Sequence, residues 1–245
     1  MVSDMWQDRT IRVFGEKSHA KIRAAKVCVF GLGGVGSFCL STLARAGVEN
    51  FLIIDGDEFD ETNINRQEFA FRSTLGKRKV DVAERFVLDI NPACNVRKHD
   101  EFILTASMSD TTKIVDEYDP DWVIDALDSV SVKLLLAEHF VRDGRGVRHY
   151  VSAMGAANKL DTSRIQMATL FTTVNDGLSR IMRKEARKRG IPDFPVCYSD
   201  EEVKLQENQA ITRAGDKKIL GSVAFIPSIM GITIAGYVLR RIANS

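Results

Sequence analysis

Between the apolar run Lys26-Val-Cys-Val-Phe30 and a helical pattern of Leu40, Leu43, Ala44 and Gly47 stands Gly31-Leu-Gly33-Gly34-Val-Gly36. Glycines at a strand-to-helix turn let the backbone approach a phosphate chain. The helix behind them offers unpaired N–H groups and the positive end of its dipole. Phe51-Leu-Ile-Ile-Asp55 and Asp121-Trp-Val-Ile-Asp125 read as further buried strands, and Val147–Ser152 and Arg164–Leu170 as later ones. Ala83, Phe86, Val87 and Ile90 fit one face of a helix over roughly 75–90, closed by Asn91-Pro92, and another runs through Leu134, Leu135 and Glu138. Strands alternating with helices predict an α/β fold, a Rossmann-like doubly wound, mostly parallel sheet.

A chain of 245 residues can bury about 70% of its unfolded surface, so this one needs no disulfide staples. Its 44% hydrophobic and 27% charged residues exclude a disordered or collagenous chain. Thirty-four basic against 33 acidic side chains give a net charge of +1, so any nucleic-acid role must come from a local patch or pocket. Cys28, Cys39, Cys94 and Cys197 form no C-x-x-C pair, which excludes a zinc ribbon or dithiol motif. His19, His99, His139 and His149 share no ligand or triad spacing. The segment MVSDMWQDRT lacks the apolar core of a secretory signal, so the expected compartment is the cytoplasm.

From about Phe171 the texture changes. Residues 173–190 hold six basic and two acidic side chains, and 191–218 read as a mobile loop in which Cys197 lies. Ile219–Leu239 then carries no charge over 21 positions and is followed by Arg240-Arg241. That length reaches the membrane-spanning range, but Pro227, three glycines and two serines break it into an extended piece and a helix of about a dozen residues. A buried or dimer-interface helix is the favoured reading and membrane attachment the competing one.

Residues downstream of the glycine loop give it a chemistry. Asp55 ends the next strand 19 residues after Gly36, where a carboxylate accepts from ribose hydroxyls. Asn63-Ile-Asn65-Arg66-Gln67 and Gly76-Lys77-Arg78-Lys79 then concentrate cations beyond what a pyrophosphate needs, which favours ATP over a dinucleotide. Asp128, past the carboxyl end of a parallel strand, suits Mg²⁺ bridging phosphates.

GLGGVG, IIDGD, NxNRQ, GKRK and DALDS in this order resemble the ATP-dependent activating enzymes related to ubiquitin E1, ThiF and MoeB, over roughly residues 9–170. The resemblance implies one E1-like domain over 1–245. Its parts would be a nucleotide-binding core at 1–170, a basic helix and mobile loop at 171–218, and an apolar C-terminal helix at 219–245, an E1-like extension serving as an interface. It places Gly31, Gly33, Gly34, Gly36, Asp55, Asp57, Asn63, Arg66, Gln67 and Lys79 on ATP. Arg66 and Lys79 would act at the reacting phosphate, with Mg²⁺ at Asp128. Arg9 would reach into the neighbouring subunit's site, implying a homodimer.

Within that family the segments RVFGEKSHAKI, NDGLSR, RKEARKRGI, CYSDEE and GSVAFIPSIMGITIAG are most similar to the tRNA threonylcarbamoyladenosine dehydratases. That likeness implies adenylation of the carboxylate of N6-threonylcarbamoyladenosine in tRNA, then ring closure with loss of AMP. No protein nucleophile is obligatory, although Cys197 sits where a thioester-forming relative would carry one. Proline is expected after Asp176, where this chain has Gly177, so a looser start to the basic helix is expected. Arg180, Arg183, Lys184 and Arg187 would share one helical face, with Lys188 beside them, as a track for tRNA phosphates. Leu178, Ile181 and Met182 would pack on the core. Two competing readings are adenylation of a ubiquitin-like sulfur-carrier protein, with a sulfur-transfer partner, and a membrane-attached nucleotide-binding module.

Overall fold

The computed structural model describes residues 4–143, 149–203, 213–214, 217–218 and 220–245. Short runs of β-branched and aromatic residues build the centre of the sheet. They are β1 (Lys26–Phe30), β2 (Asn50–Ile54), β4 (Trp122–Asp125) and β5 (His149–Ala153), with β3 (Asn95–His99) half-exposed at one edge. With β6 (Ile165–Thr169) and β7 (Pro195–Ser199) the order is β3-β2-β1-β4-β5-β7-β6, parallel except that β6 runs against β7. Phe30 pairs with Ile54 on one side and Asp125 on the other, so the order reverses between β1 and β4, directly below the glycine loop.

Alternation along each strand feeds two cores. Val27, Val29, Phe51 and Ile53 pack under α2 (Glu16–Ala24), α3 (Gly34–Arg45), α4 (Lys79–Ile90) and α8 (Phe225–Ala243). Cys28, Phe30, Leu52 and Ile54 pack under α5 (Met108–Tyr118), α6 (Val130–Ala137) and α7 (Gly177–Lys188). Each fully buried Val, Leu, Ile or Phe contributes roughly 1.5–3 kcal/mol of transfer free energy. The remaining helix, α1 (Asp8–Phe14), buries none of its residues.

The structure corrects two expectations. Within the span read as a mobile loop, Val196, Cys197 and Tyr198 are buried on β7, a strand inserted between β5 and β6. Three apolar residues in polar surroundings are too short a run to register as periodic. Residues 213–214 and 217–218 pair as an antiparallel ladder, while 204–212, 215–216 and 219 lie outside the described residues, as do 147 and 148 of the strand expected over 147–152. The C-terminal helix has 19 residues rather than a dozen. Pro227 does not break it, because it occupies the first turn, where no intrahelical N–H bond is lost. Among the described residues α8 is the one helix long and apolar enough to cross a membrane, with a mean hydropathy of 1.3, yet half of that stretch is buried inside the fold. Ile226, Met230, Ile234, Val238 and Ile242 form its core stripe, so packing accounts for that apolar face.

Candidate active site

The four glycines of the loop answer four different constraints. Gly31 has φ of +84°, and a Cβ there would come within 3.0 Å of the Ala126 carbonyl oxygen. A Cβ on Gly36 would lie 1.8 Å from the Gly31 carbonyl oxygen, so the first turn of α3 touches the loop backbone. A Cβ on Gly34 would meet the Pro227 ring at 3.0 Å and the Arg66 carbonyl oxygen at 3.2 Å. Gly33 alone faces open space, with no heavy atom within 4 Å of where a Cβ would stand, and no side chain caps the helix that starts after it. An open cradle at an uncapped helix N-terminus is what a phosphate chain requires.

Asp55 follows β2 and is buried, accepting from Leu32 N–H at 2.6 Å and Asp57 N–H at 2.8 Å. Burial pushes its pKa up, against the pull of Lys79 and these N–H groups. Lys79 opens α4 with its stem buried and its Nζ 2.8 Å from Oδ2 of Asp57, whose carboxylate is 51% exposed. Asp60 caps a 3₁₀ turn by accepting from Thr62 N–H, and Asn63 Oδ1 accepts from Asp60 N–H at 3.3 Å, so Asn63 helps shape the turn that carries Arg66. Arg66 Nη1 donates to the Thr62 carbonyl at 2.7 Å and to Asn65 Oδ1 at 3.0 Å, leaving a half-buried guanidinium fork. Gln67 is buried, and its Oε1 has no hydrogen-bond partner. A polar atom left in that state points to a donor outside the chain.

Sequence reasoning missed a strap across this edge. Gly221 and Asn158 exchange hydrogen bonds of 2.8 and 2.9 Å, and Asn65 Nδ2 donates to the Ser222 carbonyl at 3.0 Å. The segment ahead of α8 thus ties the loop after β5 to the Arg66 turn. Its glycine and serine gave no sign of that role in the sequence.

Asp128 is exposed beyond β4. Beneath it lies a second feature hidden in the sequence, an ion pair between Asp125 and Lys133 at 2.9 Å with both side chains fully buried. Among the described residues no group of three or more His, Cys, Asp or Glu could hold a metal. A lone carboxylate fits Mg²⁺, which takes the rest of its shell from phosphates and water.

The other candidates lie apart. Arg9 is exposed on α1. Gln7, two residues before it, packs with His19 against Gly47 ahead of β2, which puts α1 at the amino ends of the strands, opposite the glycine loop. Cys197, expected in a polar loop, is instead fully buried on β7, and burial pushes its thiol up to about 12, which disfavours it as a nucleophile.

On α7 the buried positions are Ser179, Met182 and Ala186, whereas Ile181 is 46% exposed, contrary to its expected packing. Arg183 donates to the carbonyl and hydroxyl of Thr173, which takes it off the expected phosphate track. Arg180, Lys184, Arg187 and Lys188 are exposed, with Arg187 lying 4.9 Å over the Phe171 ring. The expected loose start at Gly177 is absent. Asp176 caps α7 through Ser179 N–H at 2.7 Å and is itself held by buried Lys159 at 3.0 Å.

The ThiF family model matches residues 7–245 of this chain. A tRNA threonylcarbamoyladenosine dehydratase of Bacillus subtilis (strain 168) is 35% identical over 235 residues, covering 92% of this chain and 89% of that protein. Crystal structures of the Escherichia coli tRNA N6-threonylcarbamoyladenosine dehydratase in complex with ATP and with AMP each superpose with a TM-score of 0.84 at 27% identity. They cover all of this chain and 97% and 98% of theirs.

Proposed function

Since this chain belongs to the ThiF family, we propose that it is an ATP-dependent dehydratase of tRNA, cyclising N6-threonylcarbamoyladenosine by way of an adenylated carboxylate. The observation that carries the nucleotide half is the empty space over Gly33 at the uncapped N-terminus of α3. The named relatives carry the substrate half.

The chemistry follows from the side chains. A carboxylate is a poor electrophile, and its attack on the α-phosphorus of ATP, with departure of pyrophosphate, makes a mixed anhydride. An atom of the same threonylcarbamoyl group then closes the ring, AMP leaves with the carboxylate oxygen, and a proton is released. The net loss to the nucleoside is one water. Charge builds on the α-phosphate during displacement, and the Arg66 fork and the Lys79 ammonium offset it. Asp57 holds the Lys79 ammonium in place until a phosphate competes for it. Asp55 fixes the glycine loop through Leu32 N–H and accepts from the ribose. Mg²⁺ at Asp128 would neutralise phosphate charge.

The cations Arg180, Lys184, Arg187 and Lys188 on α7 would track tRNA phosphates, while the pocket selects the base. Arg9 would complete the site of a second copy in a homodimer, and the reaction belongs in the cytoplasm, where tRNA and ATP are plentiful. The test is to incubate the protein with ATP, Mg²⁺ and tRNA bearing the modification. Loss of one water's mass from that nucleoside is expected. No loss, with pyrophosphate release stimulated instead by a ubiquitin-like carrier protein, would overturn the reading.

A further inference from the structure

The sequence Val130-Ser-Val-Lys-Leu-Leu-Leu-Ala137 puts one lysine in an apolar helix, and the fold buries it completely against Asp125. Such a pair is expensive to desolvate, and two apolar residues of similar volume would stabilise the core as well or better. Its contacts indicate what the charge does. Lys133 Nζ lies 2.9 Å from Asp125 Oδ2, 3.0 Å from the Leu127 carbonyl oxygen and 3.5 Å from the Asp125 carbonyl oxygen, so each of these contacts falls on the turn that precedes Asp128.

Asp125 returns the hold. Its carboxylate also accepts from Tyr150 OH and Ser152 Oγ, each at 2.8 Å, and from Leu127 N–H at 3.1 Å. Burial, and Asp125 beside it, push the Tyr150 phenol well up, so Tyr150 stays a donor at any working pH. Ala126 N–H donates to the Phe30 carbonyl at 2.8 Å, and the Ala126 carbonyl is the group that excludes a side chain from Gly31. Residues 125, 126 and 127 are therefore each tied down, and the next residue carries an exposed carboxylate.

We propose that Asp125 and Lys133 are positioning residues that fix the Asp128 carboxylate relative to the glycine loop, so that one rigid turn sets the distance between the metal-facing group and the phosphates. This rests on the reading of Asp128 as the Mg²⁺ ligand. A network whose every member is satisfied specifies one geometry, and loosening it lets the outer carboxylate wander.

The test is a binding cycle with ATP as the probe, measured by calorimetry in EDTA and in excess Mg²⁺. Lys133→Met should keep the EDTA affinity within about twofold and lose roughly tenfold of the Mg²⁺-dependent gain. On an Asp128→Ala background it should change nothing further, because it acts through that carboxylate. Losses that are equal in both media, or that add on the Asp128→Ala background, mean a purely structural lysine and overturn the proposal. Should Lys133→Met fail to fold, Tyr150→Phe removes a single donor at nearly constant volume and must show the same pattern at smaller size. If Asp128→Ala leaves the Mg²⁺ gain intact, the reading of Asp128 falls and the positioning role falls with it. If Asp128→Ala abolishes the gain while Lys133→Met and Tyr150→Phe preserve it, the positioning role alone falls.

Discussion

At Cys197 two residue-scale cues compete, a reactive atom and a strand that hides it. Its thiol, raised to about 12 by burial, is neither ionised nor accessible at working pH. We expect Cys197→Ala to keep full turnover and the native thiol to resist iodoacetamide at pH 8, whereas loss of turnover in a folded Cys197→Ala protein would implicate a thioester. Asp55 contrasts with it, because the role proposed for it needs the charged form. Burial raises its pKa, so its negative charge is lost, as pH falls, earlier than for an exposed aspartate. ATP affinity should decline over that acid range, and Asp55→Asn, which sets an amide against an N–H donor, should bind about tenfold more weakly with a flat profile. Arg66→Ala and Lys79→Ala should each lower turnover about a hundredfold or more without loss of fold, checked by circular dichroism. Asp55, Arg66 and Lys79 could be proposed from the sequence because a nucleotide's charge would dictate their type and spacing. Lys133 and Lys159 were not, because a lone lysine reads as surface until the fold shows what it touches.

Helices α7 and α8 carry the predictions at the scale of the element. In α8 a Cβ on Gly231 would stand 2.3 Å from the Val35 carbonyl oxygen and 2.9 Å from the Cys39 nitrogen, both backbone atoms of α3, so the two helices cross at touching distance there. Gly231→Ala should cost about 1–3 kcal/mol and several degrees of Tm. Gly236, one and a half turns on, has nothing within 4 Å of a Cβ, and Gly236→Ala should stabilise by about 0.5–1 kcal/mol. Thermal melts of the two variants would separate close approach from helix propensity. In α7 the split is between fixed and free cations. Arg180→Ala, Lys184→Ala and Lys188→Ala should each flatten the salt dependence of tRNA binding by about 0.7–0.9 in log–log slope. Arg183→Ala should lower Tm instead, since Thr173 holds that guanidinium. The helical face drawn from the sequence was close, but the 3.6-residue period tells which residues are neighbours, not which neighbour turns inward to hold a loop.

At the scale of the whole molecule, the glycine loop and α1 lie at opposite ends of the strands, so the role proposed for Arg9 requires a second copy. Mixing Arg9→Ala with Lys79→Ala protein should restore up to about a quarter of wild-type turnover if random pairing leaves one intact site per mixed dimer. No recovery beyond the separate variants argues against sharing. The sheet centre was readable because strands buried on both faces must be apolar runs. β7 was hidden by its brevity, and the true length of α8 by a proline whose effect depends on its place in the turn. The contact of Pro227 with Gly34 also carries a consequence for biosynthesis. The helix that closes on the glycine loop leaves the ribosome about 190 residues after it, about 10–40 s later at ordinary translation rates. Until then the loop lacks the Pro227 ring that packs on Gly34. A chain truncated before α8 should therefore bind ATP more weakly than one that includes it, a difference calorimetry would read.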